Sequence, residues 1–176
     1  VDEKLVCALD HGVPQSRKRV ILTGLRAGMQ YGEIKLRRRA GPRTVSDAIS
    51  GLAEPKYFER GLDCATFPEH PNHWTMQPLS SRFDGTLVPS SKRRSFKKLT
   101  WDAPSPTIAF GNREIHVHPD GHRRLSIYES MLLQGFPRDF ELKGNLSDQV
   151  LQISNAVPPP LARSIARAVT LAMEGK

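Results

Sequence analysis

Gln15-Ser-Arg-Lys-Arg19 sets an amide and two guanidiniums at alternate positions. Residues two apart in an extended strand share a face, so Gln15, Arg17 and Arg19 are expected to project together, with Lys18 and Val20 facing the other way. Two cations on one surface can stabilise negative charge; the plainer alternative is a pair of solvated arginines at a strand edge. A second basic run, Lys92-Arg-Arg-Ser-Phe-Lys-Lys98, interleaves cations with Phe96 and either grips phosphates or stands as a solvated loop. Over the whole chain 26 Lys and Arg face 18 Asp and Glu, a formal charge of +8 that favours polyanionic partners, nucleic acid first. His116 and His118 are two apart, and Cys64, His70 and His73 lie close in sequence, yet their spacing fits no familiar zinc finger, and no metal is expected.

These groups need elements to hold them. Leu5–Leu9 and Arg19–Gly24 read as short strands flanking the turn Asp10-His-Gly-Val-Pro14. Both runs are apolar with little alternation, as in strands covered on two faces, and the segment after Gly24 offers too little material to cover them. Thr44-Val-Ser-Asp47 resembles a capping box and opens a short helix ended by Gly51. From Ala53 to about Val117 the chain is irregular and proline-rich, with strand candidates only at Thr107–Phe110 and Ile115–Val117, a loop-rich small β region. Ser126-Ile-Tyr-Glu129 is a capping box opening a helix that stops at Gly135, and it gives Glu129 a capping role rather than acid chemistry. Ser147 is expected to cap another short helix, and prolines 158 to 160 lead into a last helix with Leu161, Ile165, Val169 and Ala172 or Met173 along one apolar face. No apolar run approaches the roughly 18 to 20 residues of a membrane span, Val1-Asp-Glu-Lys4 has no signal-peptide pattern, and Cys7 and Cys64 sit in unlike settings. A protein of a reducing, intracellular compartment is expected.

Three segments resemble signature motifs of DNA cytosine-5 methyltransferases, in the family's order: Gly12-Val-Pro-Gln-Ser-Arg-Lys-Arg-Val20, Arg124-Leu-Ser-Ile-Tyr-Glu-Ser-Met-Leu-Leu-Gln-Gly-Phe-Pro137 and Gln152-Ile-Ser-Asn-Ala-Val-Pro-Pro-Pro160. Thr44–Leu52, Asn72-His73 and Leu99–Ile108 look like landmarks of the variable region between the first two. The family more often has Gly where Ser154 stands and Arg where Tyr128 stands. Its Gly-rich cofactor loop, Pro-Cys nucleophile motif and Glu-Asn-Val motif are not found, and Cys7 and Cys64 have the wrong neighbours for the nucleophile.

The resemblance implies an α/β fold: the C-terminal part of a Rossmann-like methyltransferase domain with an inserted, loop-rich target-recognition domain. Residues 1–40 would end the catalytic domain, 41–145 form the recognition domain, and 146–176 return to the catalytic domain. The implied reaction moves a methyl group from S-adenosylmethionine to C5 of a cytosine flipped out of double-stranded DNA. In it Arg19 would meet O2 of the base, Arg17 a backbone phosphate, and Gln15 would brace the site. Asn155, Ala156 and Val157 would line the methyl-donor pocket, with Leu133–Pro137 as scaffold. Lys92, Arg93, Arg94, Lys97, Lys98, Thr86 and Arg123 are the candidates for DNA contact. Lacking the nucleophile, the chain is expected to be inactive alone and to need an upstream half, as a separate subunit or as part of a longer chain. A cytoplasmic, prokaryotic setting is implied, in restriction-modification or solitary methylation. The other reading is a non-catalytic DNA-binding or specificity protein that retains the recognition region.

Overall fold

The computed structural model describes residues 1–24, 26, 32–38, 41, 43–67, 69–89, 96–108 and 116–175, apart from the side chain of Leu146. Two hydrophobic cores organise them.

The smaller core lies between a hairpin and the last helix. Strand β1 (Asp2–Cys7) runs antiparallel to β3 (Lys18–Thr23), from Asp2 opposite Thr23 to Cys7 opposite Lys18. A single 3-10 turn, Ala8–His11, leaves β1 and stops at Gly12, whose φ of 80° is a left-handed conformation that glycine adopts without a side-chain clash. The chain then departs from the expected continuous strand. Gln15–Ser16 forms β2, pairing in parallel with β7 (Ser105–Pro106), and only from Lys18 does it rejoin β1. At the break, the Arg17 N–H donates to the Gln15 carbonyl at 3.0 Å, a γ-turn-like closure that interrupts the alternation of faces. Gln15, Arg17 and Arg19 therefore do not lie along one strand.

Helix α4 (Pro159–Met173) covers one face of this hairpin. Prolines fit its first turn because the N–H groups they lack have no intrahelical partner there. Leu161, Ile165 and Ala168 turn inward, and Leu161 shares a core with Val6, Ala8 and Val13, against which Ile21, Leu36 and Ile165 pack. The first half of the last helix's apolar stripe, Leu161 and Ile165, is thus met by this chain's own hairpin, while Met173 is exposed. The opposite hairpin face is bare: Leu5, its cross-strand partner Val20, and Leu22 are 68%, 53% and 65% exposed. The expectation of strands covered on both faces holds for one face only.

The larger core belongs to the central region. Helix α1 (Val45–Ile49) starts at a reciprocal box in which Thr44 Oγ1 accepts from the Asp47 N–H and the Asp47 carboxylate accepts from the Thr44 N–H. Helix α2 (Ile127–Leu133) starts with the same arrangement at Ser126 and Glu129. Around them run two-residue parallel pairs, β4 (Lys56–Tyr57) with β5 (Trp74–Thr75) and β6 (Lys97–Lys98) with β8 (His116–Val117). Of the strand expected at Thr107–Phe110, Thr107 and Ile108 follow the β7 strand Ser105–Pro106 and are not in it; 109–115 lie outside the described residues. Ladders this short leave most of the organisation to side chains. The Asn72 side chain makes three hydrogen bonds: its amide donates to Leu142 O and Gln149 Oε1, and its oxygen accepts from the Leu142 N–H. His73 bridges Ser126 Oγ at 2.9 Å and Ala53 O at 2.8 Å, and His70 stacks on Tyr128 with centroids 4.1 Å apart.

Helix α3 (Leu146–Asn155) is capped by Asn145 with Asp148 rather than by Ser147, which lies within the first turn. It packs on the central core, not on the hairpin: Ile153 is buried there, and Gln149 accepts from Trp74 Nε1 as well as Asn72. Helix α4, by contrast, packs with the hairpin through Leu161 and Ile165. Among the described residues no helix is long and apolar enough to cross a membrane, and no three His, Cys, Asp or Glu side chains gather as a metal site.

Candidate active-site seam

The end of α3 has a chemical problem. The last carbonyls of a helix lack intrahelical partners, and the N–H groups that usually cap them belong to the residues that follow. Here Val157 keeps its N–H, but Pro158, two residues past the C-cap Ala156, has none. Two distant side chains supply the donors. Arg17 Nη2 donates to Ser154 O at 3.0 Å and Ala156 O at 3.1 Å, and Gln134 Nε2 donates to Ile153 O at 2.7 Å. A guanidinium at a helix C-terminus also meets the negative end of the helix dipole. Ser154 Oγ donates back to Val150 O at 2.8 Å, so a serine at this position continues the last helical turn.

The seam closes tightly on the third segment. Gly135, at φ 76°, ends α2 against Pro160: a Cβ there would sit 2.8 Å from Pro160 Cγ. Residues from all three motif segments thus meet between the cores. Arg17 is 3% exposed; burial and then the Arg19 charge hold its pKa down to about 10, so it stays protonated at neutral pH while feeling its neighbour. Arg19 is only partly buried. By strand alternation and register it shares the helix-covered hairpin face with Ile21 and Val6, and one of its amino groups donates to Lys18 O at 2.7 Å. Gln15 is fully buried beside Ser105, its partner across the β2–β7 pair; neither its amide nor the Ser105 hydroxyl has a hydrogen-bond partner among the described residues. Asn155 and Val157 are exposed at the rim, flanking the partly buried Ala156.

A model of the C-5 cytosine-specific DNA methylase family matches residues 1–170. The chain belongs to that family. It is 30% identical to the Type II methyltransferase M.NmeDI of Neisseria meningitidis serogroup C, over 98% of this chain and 46% of that protein. It is 31% identical to M.MthTI of Methanothermobacter thermautotrophicus, over 99% and 57%, and 33% identical to M.AplI of Arthrospira platensis, over 100% and 49%. The chain thus spans about half the length of the curated relatives it matches. A solved structure described as a DNA modification methyltransferase encoded within an E. coli prophage superposes with a TM-score of 0.73, covering 99% of this chain and 60% of that one at 19% identity. The fold is accordingly that of the α/β methyltransferases.

Within this methylase fold the residues expected to contact DNA divide. Thr86 is exposed, its hydroxyl donating to Asp84 Oδ1 at 2.6 Å. Lys97 and Lys98 are half-buried in β6, and the Lys98 ammonium reaches Gly85 O at 3.5 Å; Lys92, Arg93 and Arg94 lie outside the described residues. Arg123 stands apart from these. It is buried, donating to both Glu129 carboxylate oxygens at 2.9 and 2.8 Å and to Glu54 at 2.8 Å, so its fork is spent inside the protein. Burial opposes charge at both partners, but the paired hydrogen bonds outweigh it, raising the Arg123 pKa and lowering that of Glu129. Arg17, expected at phosphate, is likewise buried, its guanidinium donating to the carbonyls at the end of α3. Sequence reasoning missed Gln134 and Ser105. Gln134 stood inside a segment read as scaffold, and Ser105 inside Leu99–Ile108, a segment read as a landmark with no role for its single residues.

Proposed function

We propose that this chain is the part of a DNA cytosine-5 methyltransferase that recognises target DNA and completes the active site, working with an upstream half that carries the nucleophilic cysteine and most of the cofactor pocket. The single observation that carries this reading is the seam. Arg17 ties the Gln15–Arg19 segment to the turn bearing Asn155–Val157, which sets a partly exposed cation, Arg19, into the structure that also presents the candidate cofactor edge. Arg19 would hydrogen-bond O2 of the flipped cytosine, where negative charge builds as a thiolate adds to C6, and a fixed cation is most effective where charge develops. Gln15 would brace this site from its buried position.

The rim fits one edge of S-adenosylmethionine: Asn155 offers an exposed carboxamide and Val157 an exposed apolar surface. That cofactor supplies the methyl group when bound. The bare hairpin face of Leu5, Val20 and Leu22 supports an upstream half as its cover, since burying three such side chains contributes on the order of several kcal/mol. Double-stranded DNA is the substrate, and Lys97, Lys98 and Thr86 are the described candidates to touch it.

The test mixes this chain with a polypeptide carrying the Pro-Cys motif, cytosine-containing duplex and methyl-labelled S-adenosylmethionine. Label transfer is expected from the mixture and from neither part alone, with Arg19→Ala lowering the rate at least a hundredfold, in line with removal of one oxyanion-type donor. Duplex binding without transfer, unaffected by Arg19→Ala, identifies a binding protein and defeats the proposal.

A further inference from the structure

Beyond the seam, a cavity of about 270 Å³ opens between α4 and the extended segment 32–38. Its lining carries five basic side chains, Lys35, Arg37 and Arg38 from the segment and Arg163 and Arg167 from the helix, and no carboxylate. Two have acidic neighbours outside it: Lys35 lies 3.2 Å from Glu33, and Arg38 lies 3.7 Å from Asp10. Arg37, Arg163 and Arg167 have no ion pair among the described residues. Arg163 and Arg167 are also one helical turn apart, a like-charge spacing that weakens a helix by about 0.2–0.5 kcal/mol. Cations gathered around one concavity at a cost to the fold are matched to a polyanion. Ser164, with its hydroxyl donating to Pro160 O at 3.0 Å, and the apolar Pro160, Ala168 and Leu171 floor the groove, leaving the guanidiniums to define its chemistry.

We propose that this groove is a second phosphate-binding site, which takes the sugar–phosphate backbone of duplex DNA away from the base being acted on. The assignment rests on the reading of this chain as part of a DNA methyltransferase, and it adds a DNA contact on the hairpin-and-helix side of the protein, beside the segments Gln15–Arg19 and Asn155–Val157 proposed for base and cofactor. Guanidiniums bind phosphate oxygens in a two-pronged fashion, without reading sequence, so this contact would fix the duplex in register and carry salt dependence rather than specificity.

The experiment uses the full chain and a labelled duplex of A·T pairs only, which contains no cytosine, with affinity measured by anisotropy across a range of NaCl concentrations. For the double variant Arg163→Gln and Arg167→Gln, the slope of log affinity against log salt is expected to become shallower by roughly 2, about 0.9 for each phosphate no longer neutralised by a guanidinium. Both positions are exposed on the helix, so the melting temperature should hold or rise as the like-charge pair disappears. An unchanged slope overturns the proposal. So does a double variant that leaves the slope intact but weakens association with the upstream half, which would mark the groove as a protein interface. Tight binding of inorganic tripolyphosphate without competition against duplex overturns it as well. The two readings fail separately: loss of slope with no methyl transfer from any mixture keeps the groove and removes the catalytic assignment, whereas transfer lost in Arg19→Ala with no slope change in the double variant does the reverse.

Discussion

Replacing Arg17 by alanine separates a structural cap from a phosphate contact. In the structure one nitrogen of Arg17 serves two carbonyls, Ser154 O at 3.0 Å and Ala156 O at 3.1 Å. Bonds from a charged donor contribute about 1.5–3 kcal/mol, and two bonds sharing one nitrogen on partly buried acceptors amount to roughly one such bond. Burial and the neighbouring Arg19 charge disfavour the cation, as the lowered pKa of about 10 indicates, and return part of that gain. The net loss in Arg17→Ala should therefore be about 2 kcal/mol. Urea unfolding, with slopes of about 1–3 kcal/mol/M, would register this as a midpoint lower by on the order of 1 M. Arg17→Lys should fall between, since an ammonium keeps the charge without the fork. The decisive second measurement is the salt dependence of binding to the cytosine-free duplex. A cap leaves the slope unchanged, whereas a phosphate contact reduces it by about 0.9 and leaves the urea midpoint alone. The second outcome would refute the capping argument.

Gly135→Ala should destabilise the chain by about 2–4 kcal/mol in the same titration, combining the left-handed penalty of about 1–2 kcal/mol with a Cβ only 2.8 Å from Pro160 Cγ; a loss under 0.5 kcal/mol would mean the seam is not tightly packed. Arg123→Met should cost about 3–5 kcal/mol by stranding the buried Glu129 carboxylate. Adding Glu129→Gln should recover part of that, because the amide oxygen can still accept from the Ser126 N–H, and a double variant no more stable than the single would contradict this. His116 is buried, and burial with the charge of Lys97 lowers its pKa to about 4. Its unfolded form takes up a proton near pH 6.5 while the folded form stays neutral, so stability should fall as pH drops from about 6.5 to about 4 and level off below. The full effect is at most about 3 kcal/mol, and a His116→Phe variant whose stability varies with pH as the parent's does would contradict the assignment.

Local signals in the sequence carried the helices. Thr44 with Asp47 and Ser126 with Glu129 form their boxes within four residues, and a proline-rich start is suited to the first turn of α4 whatever packs above it. Asn145-x-x-Asp148 offered the same pattern two residues before Ser147, and it is the pair that caps α3. What depended on distant partners was not legible. Alternation across Gln15–Arg19 assumes one strand, but Gln15 pairs with Ser105, ninety residues away, and the chain bends at Arg17. Arg123 reads as surface charge beside Arg124, and only the arrival of Glu54 and Glu129 makes it interior. The candidate site was legible as three segments belonging together, though not in how they touch.

That meeting of segments gives a physical reason for the three to occur together. A run of three prolines fixes the path from α3 to α4, and its first member removes one backbone donor that would cap the helix end. Here donors to the helix end come from Arg17 in the first segment and Gln134 in the second. Gly135 follows from the same geometry, because the residue after Gln134 must turn beneath Pro160 without a side chain. The exposed rim at Asn155 and Val157 is therefore held by groups that never reach it, and the position of Arg19 is coupled to that rim through its neighbour two residues back. A substitution at Gln134 that removed its donor, far in sequence from both Arg19 and Asn155, should then loosen the two together.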